Sequence, residues 1–224
     1  MSFYDELVTA TEAERLAFLQ IPAVAQGLQG SIPLSSYIAF LTQAYYHVRH
    51  TVPLLMNCGG ALPQEKEWLR VAIGEYIEEE MGHQEWILND IEAAGGDREQ
   101  VRNGAPDFTT EMMVAYAYDT IQRHNPVGFF GMVFVLEGTS VALATNAATI
   151  IQEKLNLPAS AFSYLSSHGS LDQDHIQFFE SLMNKLESDD DKQAVLHAAS
   201  RFYQLYGNIF RSLPLEDNTG RVAA

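Results

Sequence analysis

An all-α fold is what this sequence of 224 residues predicts. Apolar residues recur at three- and four-residue steps over long segments, period-two alternation is scarce, and several segment ends carry helix punctuation. The spacing places helices near residues 3–19, 33–57, 63–94, 109–124, 126–155, 160–167, 169–187 and 190–212.

The first of these, like 109–124 and 190–212, rests on apolar spacing alone. Within 63–94 the stripe runs through Ile73, Tyr76, Ile77, Glu80, His83, Ile87 and Ile91, and Gly95-Gly96 ends it. Asn125-Pro126 can cap and start the helix over 126–155, and Asn156 with Pro158 can stop it. Gly169 and Ser170 can mark a helix start that leaves His168 in a preceding loop. Alternatively the helix reaches back and carries His168, Asp172 and His175 on one face with Leu171, Phe178, Phe179, Leu182 and Leu186.

With this length, no internal repeat and no low-complexity linker, one domain over residues 1–224 is expected. A net charge of -16 argues against nucleic acid and anionic membranes as partners. One cysteine cannot close an internal disulfide, and Met1-Ser2-Phe3-Tyr4-Asp5-Glu6 lacks the basic start and apolar run of a secretory signal, so a cytoplasmic location is expected. The stretch from Phe129 to Thr149 is long enough to span a bilayer. Glu137, Asn146, its hydroxyl residues, Gly131 and Gly138 instead read as a buried helix of a protein outside the membrane.

Three polar groups stand on core-directed stripes. His168, Asp172 and His175 form an HxxxDxxH half-site. Glu80 and His83 form an ExxH; the rival Glu79 shares its stripe with Glu75, Gly82 and Asp90, a wetter face. Glu137 is the one charged residue between Phe129 and Thr149, and an unpaired buried carboxylate costs several kcal/mol or more, so it requires a proton, a salt bridge or a cation. Any one of these motifs could be an ordinary polar face. Their joint placement on three helices is better explained by metal. Three carboxylates and three imidazoles suit two ions, with iron or manganese favoured over calcium, and the lack of thiolates argues against structural zinc. Glu75, Glu78, Glu79, Glu85, Asp189 and Asp190 read as solvated.

One ExxH, a lone core glutamate and a final HxxxDxxH together resemble the haem-oxygenase-like dimetal oxidases, relatives of the TenA, PqqC and death-domain-associating proteins. The segment from Tyr45 to Leu55 resembles their second helix, and the likeness covers most of the chain. It implies a bundle of about seven or eight helices, and metal ligands Glu80, His83, Glu137, His168, Asp172 and His175. The cofactor would be two Fe(II), with Mn or a mixed Fe/Mn pair as alternatives, and dioxygen would be the co-substrate. The resemblance further implies oxidation of a small molecule such as an amine, amino acid or fatty acid, and a homodimer. Members that build an aminobenzoate from their own tyrosine use a lysine on the glutamate helix. Leu136 to Ile151 contains none, so that reaction is not expected here.

For substrate selection Tyr46, His47, Arg49 and His50 offer a phenol, imidazoles and a cation within one turn. The alternative is that Tyr46 and His50 pack in the core while Arg49 pairs with a surface acid. Two other function classes compete with an oxidase. A metal-free TenA-like or PqqC-like enzyme, if a thiamin-type hydrolase, would need a nucleophilic cysteine, and Cys58 beside Gly59-Gly60 does not fit that position. A non-catalytic interaction protein would use the acidic surface or a helix groove, and leaves the six candidate ligands unexplained.

Overall fold

The computed structural model describes residues 1–215, apart from the side chains of residues 168–175. The described residues form no strand and twelve α-helices: α1 Phe3–Ala10, α2 Glu12–Leu19, α3 Pro22–Gln29, α4 Leu34–Val48, α5 Thr51–Ala61, α6 Glu67–Glu80, α7 His83–Ala93, α8 Arg98–Asn103, α9 Phe108–Arg123, α10 Phe130–Leu155, α11 Ser163–Met183 and α12 Asp189–Ser212. The fold class is the expected one. The count exceeds eight chiefly because single residues break long apolar stripes.

Each break has a local cause. Thr11 divides the first stripe, its hydroxyl donating to the Leu7 carbonyl at 2.8 Å while the backbone leaves helical geometry. Pro53 has no N–H to offer the Arg49 carbonyl, so the second stripe breaks at Arg49-His50. Gly82, at φ +93°, divides the third into α6 and α7. The reverse holds in α11, which runs unbroken through Gly169 and Ser170. His168, Asp172 and His175 therefore share one helix at i, i+4 and i+7. A helical glycine costs roughly 1 kcal/mol against alanine, less than a packed helix gains by continuing.

Two hydrophobic clusters form the core. The larger gathers Leu54, Leu69, Ile73, Tyr76, Phe130 and Phe202 with their neighbours. The smaller gathers Tyr37, Leu41, Ile87, Leu88, Ile91 and Phe162. α10 threads both, giving Phe130, Phe134 and Val135 to the first and Ala144, Ala148 and Ile151 to the second. Each large side chain buried in this way contributes about 1.5–3 kcal/mol.

α10 packs along α11, α12 and α3. Its approach to α12 is so close at Gly131 that a Cβ there would stand 2.5 Å from the Ala199 nitrogen and 2.8 Å from the Val195 carbonyl. By length and composition the stretch Pro126–Leu155 could cross a membrane, yet half of its most apolar window is buried against protein. Its ends follow the punctuation expected: Asn125 accepts from the Val127 N–H, and Asn156 closes the helix at φ 53°.

Candidate metal centre

The third stripe brings the first two candidate ligands together across its break. Glu80 is the last residue of α6 and His83 the first of α7, joined by Met81 and left-handed Gly82. Oε2 of Glu80 lies 3.1 Å from Nδ1 of His83, and the two side chains are 13% and 4% exposed. The His83 ring stacks on Trp86 at 4.1 Å between centroids, which fixes its plane. The expectation that both ligands sit on one helix is thus corrected. Glu79 turns outward with Glu75 and Glu78, as their stripe implied.

Glu137 enters from the middle of α10, half-buried. It and Glu80 line the same cavity of about 180 Å³, together with Tyr76, His47, Thr51, Thr139, Ser140 and Tyr164. The remaining wall is mainly aliphatic and aromatic, drawn from α3, α4, α5, α10 and α12. His168, Asp172 and His175 lie outside the residues whose side chains are described. Among the described residues no three His, Cys, Asp or Glu side chains converge as a ligand cluster. Glu80, His83 and Glu137 fit an iron ion in kind, offering carboxylate oxygens and an imidazole.

The four residues considered for substrate selection separate. His47 is buried and lines the cavity, its ring edge-on to Tyr206 at 5.9 Å. The Tyr46 hydroxyl instead donates to the Val101 carbonyl at 2.8 Å. Arg49 pairs with no acid among the described residues; its guanidinium lies over the rings of Tyr45 and Tyr46, 5.8 and 5.1 Å from their centroids. His50 Nδ1 stands 3.2 Å from the Tyr118 hydroxyl. Burial, and then the neighbouring Arg49 charge, push its pKa below the ordinary histidine value.

Cys58 is fully buried and does not line the cavity. Its Sγ–H points at the Pro126 carbonyl, 3.3 Å away, and burial pushes the thiol up to about 12. It is a packing cysteine. Glu85, expected to be solvated, is half-buried and held by Arg102 through two bonds of 2.8 Å, which lower its pKa.

Asp90 departs most from the sequence reading, which placed it on a wet face. It is fully buried on α7, and its carboxylate accepts from the Ser163 and Tyr164 N–H groups at 3.0 and 2.8 Å and from the Ser163 hydroxyl. Burial pushes its pKa up, opposed by those three bonds.

The family described as iron-containing redox enzyme matches residues 38–207. No curated protein sequence matches the chain. Among solved structures the fold is similar to a domain of unknown function with a heme oxygenase-like fold from Shewanella denitrificans. That match has a TM-score of 0.83 and 20% identity, covering 95% of this chain and 92% of the other. A TenA homolog from Pseudomonas syringae matches with a TM-score of 0.76 and 10% identity over 94% and 91% of the two chains. Heme oxygenase-1 from a cyanobacterium, Synechocystis, solved with heme, matches with a TM-score of 0.73 and 12% identity over 95% and 92%. At these identities the likeness establishes the haem-oxygenase-like fold.

Proposed function

The chain belongs to the family of iron-containing redox enzymes, and from that premise we propose that it is a non-haem dimetal oxidase using dioxygen to oxidise a small molecule with an apolar body. The observation that carries this reading is that Glu80 and Glu137, from different helices, line one largely apolar cavity. Carboxylates in such a wall are costly unless hydrogen-bonded, protonated or held by a cation. His83 stands within 3.1 Å of the first of them. In this reading α11 completes the set with His168, Asp172 and His175, and each ion takes oxygen and nitrogen donors.

When bound, the iron supplies the one-electron chemistry that lets dioxygen react. The protein's own residues do the rest. Trp86 fixes the plane of the His83 imidazole, so this donor is oriented before metal arrives. Leu54, Leu55, Met132, Leu136, Leu143 and Ile151 form a wall with no hydrogen-bonding group, which excludes stray water and receives a hydrocarbon portion. His47, Tyr76 and Ser140 line the same space and offer polar contacts to a head group. A fatty-acid-like molecule suits such a wall better than a free amino acid.

Anaerobic titration of the apo-protein with ferrous iron, followed by measurement of oxygen uptake, tests the proposal. Close to two irons per chain, with oxygen consumed after loading, is the expected result. No specific iron uptake would overturn it and move the assignment to a metal-free enzyme or a binding protein.

A further inference from the structure

The start of α11 has no side-chain cap of its own: Phe162 occupies the N-cap position, and its side chain supplies no hydrogen bond. A helix begins with N–H groups that have no partner within it, and in a buried place these need acceptors from elsewhere. Asp90 is that acceptor. One oxygen takes the Ser163 N–H at 3.0 Å and the Ser163 hydroxyl, and the other takes the Tyr164 N–H at 2.8 Å. The negative carboxylate also meets the positive pole of the helix. The preceding turn is held as well, since the Tyr37 hydroxyl donates to the Ala161 carbonyl at 2.7 Å.

Asp90 sits on α7 seven residues after His83, two turns along the same face, and both residues are buried. His168 is five residues beyond Ser163 on α11. At a rise of about 1.5 Å per residue, the joint lies roughly 10 Å along α7 from His83 and roughly 8 Å along α11 from His168. One carboxylate thus connects the helix bearing the first imidazole to the helix bearing the other two.

We propose that Asp90 is a positioning residue for the metal centre: its cap on Ser163 and Tyr164 sets the register of α11 against α7, and so the spacing of His168, Asp172 and His175 from His83. This rests on the dimetal reading above. It assigns Asp90 no contact with metal or substrate. Losing the cap frees the first turn of α11 to shift or fray, and a displacement of about 1 Å is enough to spoil a ligand set.

The test compares Asp90→Ala, Asp90→Asn and Ser163→Ala with a core truncation on a helix bearing no proposed ligand, Phe202→Leu. Two quantities are read: amide exchange over residues 163–166 of the apo-protein, and ferrous-iron stoichiometry and affinity. Asp90→Ala is expected to raise exchange over 163–166 and weaken at least one iron tenfold or more while helical content persists. Asp90→Asn keeps an acceptor oxygen and should fall between it and wild type, as should Ser163→Ala, which removes only the hydroxyl. Phe202→Leu should bind both irons like wild type despite its lower melting temperature.

Wild-type iron affinity in Asp90→Ala with exchange raised would overturn the positioning role, as would equal weakening in Phe202→Leu. If Asp90→Ala fails to fold, the two milder variants carry the same comparison, and wild-type affinity in both with raised exchange counts against the role. Failure of wild type itself to take up iron removes the dimetal reading and this role with it, and is told apart because it precedes any substitution.

Discussion

Glu80 and His83 are three residues apart in sequence and 3.1 Å apart in space, yet they belong to different helices. In a continuous helix the pair would lie along one face at a fixed angle. Here the chain turns through a left-handed glycine between them, so the approach of carboxylate to imidazole is set by a turn.

That turn can be tested by Gly82→Ala. An added Cβ meets nothing within 4 Å, so backbone strain at φ +93° is the only penalty. We expect a stability loss of about 1–2 kcal/mol, measured by urea denaturation, with weaker iron binding. An unchanged midpoint would contradict the left-handed assignment.

Replacing Glu137 or His175 by alanine should each abolish tight binding of at least one iron while far-UV circular dichroism stays near that of wild type. Glu137 lies in a cavity wall where truncation leaves room to relax. Full occupancy in both variants, measured by metal analysis after anaerobic loading, would remove them from the ligand set.

Gly131→Ala should destabilise the fold by about 1–3 kcal/mol, because the new methyl falls against α12 backbone that cannot rotate away. Calorimetry checks this. A melting temperature equal to wild type would mean that α10 and α12 are farther apart than described.

Cys58 should be inert. With its thiol pushed up to about 12 and its side chain buried, it should react with a disulfide reagent only after unfolding, and Cys58→Ser should retain iron uptake. Rapid modification of the folded protein would revive a nucleophilic role.

His50 should give the protein a measurable pH dependence. Its folded pKa lies below 6.5, the value to which it returns on unfolding. Above 6.5 the imidazole is neutral in both states and its contribution to stability is complete. As pH falls below 6.5 the unfolded chain takes up the proton first, so stability is lost until the folded value is passed. Wild type should therefore lose more stability than His50→Gln as the pH is lowered from about 7.5 to about 5. An NMR titration midpoint for His50 at or above 6.5 would refute this.

The long helices were legible because apolar spacing carries its own period, whereas α3 and α8, at eight and six residues, are too short to show one and fell between the spans read as helical. Glu137 was legible because one charge in the apolar run from Phe129 to Thr149 demands a reason. The break at Gly82 was not, since Ile73, Tyr76 and Glu80 on one side and His83, Ile87 and Ile91 on the other keep helical step across it. A glycine costs a helix only about 1 kcal/mol, so its identity does not reveal which way the backbone turns. Asp90 was hidden for a different reason. Its partners begin 73 residues later, and only the folded chain shows that a carboxylate beside Ile91 faces bare N–H groups. His47 lay among four polar candidates whose directions sequence could not distinguish, and the cavity selects it.

The glycine break also decides how Glu80 and His83 respond to change. Leu69, Ile73 and Tyr76, which set the rotation of α6, belong to the larger hydrophobic cluster, whereas Ile87, Leu88 and Ile91, which set that of α7, belong to the smaller. Glu80 and His83 thus answer to separate cores across a seam. A repacking mutation in one cluster can turn its own side chain of the pair by a few degrees without dragging the other along. The proposed centre would in this respect be modular: its geometry could be adjusted one donor at a time, a freedom that an unbroken helix would withhold.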